Sequence, residues 1–139
     1  MRDLMNRLHL VPAMAPAAVI TDNTAIVSAV CDLKGFGACM LALVTGTDAD
    51  ADATFTVLIE DSDDNVTFTA VDDAYLDGTE VLASYNFADD GEARKIGYTG
   101  IKRYVRATVT PAANTGNVFL GGLWVLGNPR RQPTANPPQ

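Results

Sequence analysis

The sequence is poor in the residues on which most catalytic and zinc sites depend. Its 139 residues include a single histidine, His9, and two cysteines, Cys31 and Cys39. Nucleophilic catalysis needs a general base packed beside the nucleophile, and zinc needs several clustered His or Cys ligands. His9 lies in an N-terminal segment outside the predicted core, and the sequence contains no glycine-rich phosphate loop. We therefore expect no enzyme activity, no metal and no cofactor.

Positive charge and long apolar runs are also scarce. The chain carries 10 Lys and Arg against 17 Asp and Glu, a net charge of −7, whereas phosphate binding needs clustered Lys and Arg. No stretch approaches the roughly 20 apolar residues of a membrane-spanning helix. Pro12 and Pro16 interrupt the apolar stretch near the N-terminus, which argues against a cleaved signal peptide. The sequence therefore predicts a soluble, unprocessed protein with no nucleic-acid or membrane partner.

Two cysteines are too few to form a disulfide framework in a chain of this size. Cys31 and Cys39 flank a predicted turn at residues 34–37, so a disulfide across a hairpin is one interpretation. The other is a pair of buried free thiols, because unpaired cysteine commonly behaves as a small core residue. We favour the free thiols, and the redox state stays open.

The pattern that is present is an alternation with a period of two. Hydrophobic residues make up 47% of the chain, which is enough for the core of one domain of this length. Alternating apolar and polar residues, separated by turns every 8–15 residues, are typical of antiparallel strands with one buried face. We predict an all-β antiparallel sandwich or jelly roll of about eight strands, at residues 24–31, 39–45, 54–60, 66–71, 83–87, 93–96, 103–110 and 118–126. Residues 39–45 are nearly all apolar, as in a central strand buried on both faces.

The two ends of the chain do not follow this alternation. Residues 1–23 are predicted to contain a short helix at 3–10 and then an extended Pro- and Ala-containing segment, because proline biases the preceding residue toward extended geometry. Residues 128–139 contain four of the seven prolines, and they carry Arg130 and Arg131 without an acid. We therefore predict a sandwich domain at 24–127 between an N-terminal arm and a proline-rich C-terminal arm.

Acidic residues cluster in two segments that resemble cation-binding loops. Asp48, Asp50 and Asp52 alternate with alanine, and residues 61–65 read DSDDN. The best-known calcium loop needs Gly at its sixth position and Glu at its twelfth, and neither segment has that Gly. We interpret 48–52 as a solvated loop, with a non-standard cation site left open, and 61–65 as a turn closed by its own Asx side chains.

Residues 94–104 combine basic and aromatic side chains in the sequence RKIGYTGIKRY. One hypothesis is a surface that binds a glycan or an acidic neighbour. The favoured interpretation is a strand–turn–strand in which Tyr98 and Tyr104 pack at the edge of the core while Lys and Arg offset nearby acids. Trp124 alternates with apolar residues, which indicates a core position and not a platform for stacking sugars.

Several segments together resemble small structural proteins of tailed bacteriophages that are encoded among the head genes. These segments are TAIVS at 24–28, DLKGF at 32–36, DATFTV at 52–57, EDSDD at 60–64, LDGT at 76–79, RKIGY at 94–98, KRYVR at 102–106 and LGNP at 126–129. The resemblance covers most of the chain. It implies a virion component on the head surface, made in the host cytoplasm, and a capsid decoration (cement) protein is the best fit.

Such proteins commonly pair a β-rich body with arms that lie across neighbouring capsid subunits. The resemblance therefore implies two partners, the major capsid protein and copies of this chain in a homo-oligomer such as a trimer. The arm residues expected to bind a partner are Leu4, Leu8, Leu10, Val11, Arg130 and Arg131. A component of the head–tail neck or of the tail is one alternative. Another is a carbohydrate-binding or adhesion module that uses Tyr98, Tyr104 or Trp124.

Overall fold

Strands dominate the fold in a computed structural model that describes residues 3–16 and 21–137. Within these ranges the strands are β1 (His9–Met14), β2 (Ile26–Val27), β3 (Cys31–Asp32), β4 (Ala38–Thr45), β5 (Thr54–Ser62), β6 (Thr69–Ala70), β7 (Leu76–Asp77), β8 (Tyr85–Asn86), β9 (Ala93–Tyr98), β10 (Tyr104–Ala112) and β11 (Leu120–Gly127). The helices are one turn each: α1 (Glu80–Ala83) and 3-10 turns at Asp73–Tyr75 and Phe87–Asp89. None of the described helices has the length and apolar character needed to cross a membrane.

The strands form two antiparallel sheets that pack face to face. The five-stranded sheet has the order β1-β11-β4-β9-β7, and the six-stranded sheet has the order β2-β10-β5-β6, with β3 also paired to β10 and β8 to β5. The prediction of an all-β antiparallel sandwich is confirmed. The described part of the chain has three more strands than the predicted eight, because β1 and β7 were not predicted and the predicted strand at 24–31 overlaps β2 and β3, which are separate strands.

The core lies between the sheets and is built from the inward positions of the long strands. Its largest fully buried side chains include Leu41, Leu43, Phe55, Val57, Ile59, Val105, Val109, Trp124 and Leu126. Trp124 is 1% exposed, and its indole Nε1 donates a hydrogen bond to the carbonyl oxygen of Ala29 at 3.0 Å. A buried indole needs such a partner for its N–H. The predicted core position of Trp124 is confirmed.

The N-terminal segment differs from its prediction. Residues 3–8 form a turn and not a helix, and His9–Met14, predicted as part of an arm, forms an edge strand that pairs with β11. Proline is tolerated in an edge strand, where a missing N–H interrupts no ladder. Pro12 therefore fits here, and Ala13 and Met14 are buried in the core. Residues 1–2 and 17–20 of the predicted N-terminal arm, and 138–139 of the C-terminal one, lie outside the described residues.

The C-terminal segment after β11 folds back over the N-terminal turn. The backbone N–H of Thr134 donates to the carbonyl oxygen of Asn6 at 3.1 Å. Its hydroxyl lies 3.2 Å from the carbonyl oxygen of Met5 and 2.5 Å from that of Leu8. Further back, the N–H of Arg130 donates to the carbonyl oxygen of Gly35. The two terminal segments, predicted as separate arms, are thus joined to each other at one end of the sandwich.

Candidate docking surface

The five-stranded sheet is apolar on its outer side as well as on its core side. Successive residues of a strand point to opposite faces, so the residues that alternate with the buried core positions point outward. The outward residues at the centre of this sheet, which we call the outer face, are Leu10, Pro12, Met40, Ala42, Val44, Leu123 and Val125. They lie side by side, since Val125 is opposite both Leu10 and Met40, and Leu123 is opposite both Pro12 and Ala42.

These outward side chains are not covered by the rest of the described chain. Val44 is 58% exposed, Leu10 43% and Leu123 42%, and Met40 and Val125 are half-buried. Lys95, opposite Ala42, is the one charged residue among the described outward positions of β1, β4, β9 and β11. The largest contiguous apolar patch on a typical monomer is about 300–600 Å², and such a patch is often functional. The outer face is therefore a candidate site of association.

Two hollows lie at opposite ends of the outer face. The larger, ≈ 700 Å³, is lined by small residues such as Ala38, Gly97 and Gly127 together with Met40 and Val125. The smaller, ≈ 280 Å³, lies between Val44, Phe119, Gly121 and Pro16. Because small residues lie beside large ones, the face has hollows and raised side chains, and a partner of complementary shape could fill the hollows.

A third hollow, the terminal hollow, contains three of the residues predicted to bind a partner. It measures ≈ 480 Å³ and is lined by Leu4, Met5, Leu8, Leu10, Ala135 and Asn136. Leu4 and Met5 are each 66% exposed. Leu8 also lines the larger hollow of the outer face, so the two surfaces are continuous. Sequence analysis missed Met5 and Ala135, and it also missed Thr134, whose hydroxyl joins the two terminal segments.

The remaining predicted partner-binding residues lie elsewhere. Val11 is on the opposite side of β1 from Leu10, where it is half-buried and packs against the core. Arg130 is exposed and lines a separate basic hollow of ≈ 420 Å³ with Lys34, Lys102 and Arg103. Arg131 is exposed on the segment that follows. The structure thus brings Leu4, Leu8 and Leu10 together and separates Val11 from them.

A polar cluster beside the basic hollow connects the two sheets. The hydroxyl of Tyr98 donates to Asp61 Oδ2 at 2.9 Å, and Lys102 Nζ donates to Asp61 Oδ1 at 2.8 Å. Burial, together with the hydrogen bond to Asp61, raises the pKa of Tyr98 well above its usual range. Arg103 pairs with Asp32 through two hydrogen bonds. These contacts match the predicted strand–turn–strand in which cations offset nearby acids.

Two of the three aromatic residues considered for glycan binding are buried. Tyr98 is 5% exposed and Trp124 is 1% exposed, so neither ring offers a face to a sugar. Tyr104 is half-buried, with the guanidinium carbon of Arg103 4.8 Å from its ring centroid. His9 stacks on Phe36 with their ring centroids 5.2 Å apart, which is a packing contact. Of the three residues considered, only Tyr104 keeps part of its side chain exposed, while Tyr75, Phe87 and Phe119 are exposed elsewhere in the described chain.

The acidic segments close turns with their own carboxylates. In residues 48–52 the backbone N–H of Asp50 donates to Asp48 Oδ1 and that of Asp52 donates to Asp50 Oδ1. Asp50 Oδ2 also accepts hydrogen bonds from the backbone N–H and hydroxyl of Thr115, which links two loops. Backbone N–H groups of Thr67 and Val66 lower the pKa of Asp64 to about 2. Among residues 3–16 and 21–137, no group of three or more His, Cys, Asp or Glu side chains converges in a way that could hold a metal. The interpretation of residues 61–65 as a closed turn fits this geometry.

Cys31 and Cys39 face each other across the sandwich. Both are free and buried, and their Sγ atoms are 3.9 Å apart. A disulfide would need a separation of about 2.05 Å. The hydrogen bond between Cys39 and Cys31, and then burial, raise the pKa of Cys39 far above its usual range. The structure therefore has the free thiols that we favoured.

Comparison with known proteins defines a fold class. No family model matches the sequence, and no curated protein matches it significantly. The chain is an antiparallel β-sandwich module. A solved structure with the same architecture is the PBSX exported protein XepA, with a TM-score of 0.54 and 16% identity, covering 91% of this chain and 39% of XepA. The chain thus spans less than half of XepA's length, and the likeness shows the fold alone.

Xylan-binding modules are more distant. The xylan-binding domain from carbohydrate-binding family 22 matches with a TM-score of 0.44 and 9% identity, over 91% of this chain and 90% of that domain. A family 22 module of Clostridium thermocellum Xyn10B matches with a TM-score of 0.42 and 10% identity, over 91% and 89%. Matches at this level carry no argument about a ligand.

Proposed function

We propose that this protein is a non-catalytic structural component of a tailed-phage virion, and specifically a capsid decoration protein. The observation that carries the proposal is the exposed apolar surface that the joined terminal segments present at one end of the sandwich. This surface contains Leu4, Leu8 and Leu10, which the family resemblance implies as contacts with the capsid. A component of the neck or tail would use the same surface on a different partner.

The terminal hollow suits attachment to another protein. Burying an exposed aliphatic side chain contributes about 1.5–3 kcal/mol, and Leu4 and Met5 are each 66% exposed. Association also costs free energy, because interface side chains and loops lose freedom. Here the hydrogen bonds of Thr134 already hold the two terminal segments together. Attachment would therefore use a preformed surface, and less ordering would accompany binding.

The basic hollow would supply the polar part of the contact. The chain as a whole is acidic, with a net charge of −7, yet Lys34, Lys102, Arg103 and Arg130 line one hollow. Lys102 and Arg103 are already paired with Asp61 and with an acid on β3. Arg130 and Lys34 are the cations that a carboxylate of the capsid protein would meet. Complementary charge of this kind orients a partner more than it tightens binding.

The test is occupancy on particles. The gene is expressed with the genes that flank it, the assembled particles are purified, and bound copies are counted by quantitative mass spectrometry. Decoration of a symmetric shell gives on the order of hundreds of copies, and a neck ring gives about a dozen. Absence of the wild-type chain from the particles would refute a structural role, and about a dozen copies would move the protein from the head to the neck.

A paired substitution tests the surface itself. Leu4→Glu with Met5→Glu places two carboxylates in the terminal hollow, and we expect occupancy to fall at least tenfold, which corresponds to about 1.4 kcal/mol. The matched control is Val66→Glu, at an 81% exposed aliphatic residue in the turn after β5. It should bind like the wild type. Wild-type occupancy of the double variant would contradict attachment through the terminal hollow.

A further inference from the structure

The outer sides of the two sheets differ in polarity. The outward residues of β5 and β10 are mostly polar, including Thr56, Glu60, Arg106, Thr108 and Thr110, with Leu58 as the aliphatic exception, as expected for an antiparallel sheet with one solvated face. The outward residues of the five-stranded sheet are mostly apolar, with Lys95 on β9 and Asp77 on β7 as the charged exceptions. Both sheets belong to the same chain, so its overall amino-acid composition does not explain why their outer sides differ in polarity. One sheet is suited to water and the other to a protein surface.

We propose that the outer face is the interface with a second copy of this chain, packed sheet against sheet in a two-fold symmetric dimer. This interface goes beyond attachment to a capsid, and it would form with no capsid present. Two-fold dimers bury the same patch on both subunits, so the patch must be compatible with itself.

Charge favours a second copy at this face. The chain has a net charge of −7, so a contact between two copies through most other parts of the surface would place acidic residues opposite acidic residues. Like charges in contact are costly. The outer face has no acid. Its neighbour Lys95 on β9 and Asp77 on the edge strand β7 carry opposite charges and lie to one side. An uncharged centre with charges at the rim is the usual arrangement of a protein interface.

The area of the face is close to what a stable dimer needs. The strands β1, β11, β4 and β9 have 6, 8, 8 and 6 residues. At about 3.3 Å per residue and about 4.8 Å between strands they cover about 440 Å² in projection. Two such faces cover about 900 Å², close to the roughly 1,000 Å² at which specific interfaces begin. Side-chain relief adds to the accessible area, so the true buried area would be larger than the projection.

The relief of the face is compatible with a copy of itself. Across the β4–β11 pair, large residues alternate with small ones, since Val44 is opposite Gly121 and Leu123 is opposite Ala42. Sheets that pack face to face lie about 10 Å apart and interdigitate their side chains. The exposed side chains of Val44 and Leu123 of one copy can enter the hollows that the small residues leave in the other.

The experiment measures the oligomeric state of the purified full chain by sedimentation equilibrium over a range of micromolar concentrations. We expect twice the monomer mass. Val44→Lys should weaken the dimer at least tenfold, because it places a charge within an apolar interface. The matched control is Val27→Lys, which makes the same change on the six-stranded sheet at a residue 54% exposed, against 58% for Val44. The control should leave the dimer intact.

Each outcome decides the proposal. A monomer at all concentrations overturns it, and so does a three-copy mass or a dimer equally weakened by both lysine variants. If circular dichroism shows that Val44→Lys does not fold, Leu123→Ala removes contact area without adding charge, and an unchanged dimer affinity in that variant overturns the proposal. The Leu4→Glu and Met5→Glu variant should remain dimeric. Failure of the dimer can thus be distinguished from failure of capsid attachment.

Discussion

The hydroxyl of Tyr98 holds together the polar cluster that joins the two sheets. Tyr98 ends β9 of the five-stranded sheet, and its hydroxyl donates to Asp61 Oδ2 on β5 of the six-stranded sheet at 2.9 Å. The hydroxyl oxygen of Tyr98 also accepts a hydrogen bond from the backbone N–H of Lys102 at 3.1 Å. Tyr98→Phe keeps the buried ring and removes only this oxygen. The substitution therefore isolates the contribution of one hydroxyl to the contact between the sheets.

The expected loss of stability depends on the hydrogen bond that Asp61 retains when the Tyr98 hydroxyl is removed. A hydrogen bond to a charged group contributes about 1.5–3 kcal/mol. Asp61 still has Lys102 Nζ at 2.8 Å, so its carboxylate is not left without a partner and the largest penalties do not apply. The freed N–H of Lys102 lies in a partly exposed loop, where water can replace the lost acceptor. We expect Tyr98→Phe to lower the free energy of unfolding by about 2 kcal/mol, out of the roughly 5–15 kcal/mol of a typical domain.

Urea unfolding at pH 7, followed by fluorescence and by circular dichroism, measures this loss. The matched control is Tyr75→Phe at a tyrosine that is 52% exposed, where a change within about 0.5 kcal/mol is expected. In the background of Asp61→Asn the acceptor is neutral, so the effect of Tyr98→Phe should shrink by about 1 kcal/mol. A loss at Tyr98 no larger than that at Tyr75, or full additivity with Asp61→Asn, would show that this hydrogen bond does not hold the sheets together.

Two further properties follow from buried titratable groups. Burial raises the pKa of Tyr85, and burial with the hydrogen bond to Asp61 raises the pKa of Tyr98. The stability that these two neutral hydroxyls contribute is complete below the pKa of about 10 that tyrosine has in the unfolded chain. It is lost as the pH rises toward their higher pKa values in the folded protein. The urea midpoint should fall above pH 10, and ionisation of all tyrosines near pH 10 in the folded protein would contradict this. Cys31 and Cys39 should resist a thiol-specific disulfide reagent at pH 7 in the native protein, because both side chains are buried and the reagent cannot reach them. Both should react in urea, and fast labelling of the native protein would show that they are accessible.

The long strands could be predicted from the sequence because their alternation is long enough to be read. The five strands of six or more residues between residues 24 and 127 overlap segments that were predicted as strands. Among the two-residue strands, only β7 lies outside every predicted segment, and the predicted strand at 24–31 overlaps β2 and β3, which are separate strands. Their positions depend on which neighbours they meet in the folded protein. The sandwich was therefore predictable, and its strand number was not.

The N-terminal strand was missed because its prolines were given too much weight. Leu10 and Pro12 point outward from β1, while Val11 points inward, which is a period of two. Proline argues against a central strand, but an edge strand has no partner for one side of its backbone. Assigning these residues to an arm also put Val11 among the predicted contacts. In the structure that side chain packs against the core.

The joined ends of the chain could not be predicted from local sequence. Thr134 lies 126 positions from Leu8 in the sequence. A hydrogen bond between residues so far apart in the sequence produces no periodic pattern and no turn motif. Leu4, Leu8 and Leu10 were predicted as contacts on separate grounds, as apolar residues of an arm. The structure adds the reason why they lie together, because the C-terminal segment closes over the turn that precedes β1.

The apolar character of β4 shows what an alternation pattern can and cannot specify. Residues 39–45 predicted a strand buried on both faces, and within the chain the core covers only the face with Leu41 and Leu43. A pattern reports that a side chain avoids water, but it does not report whether the same chain or another one covers it. If Met40 and Val44 faced water in the functional state, outward threonines would serve as well there as they do on β5 and β10. The prediction for β4 and the inferred dimer therefore depend on the same fact, and sedimentation of Val44→Lys against Val27→Lys tests both.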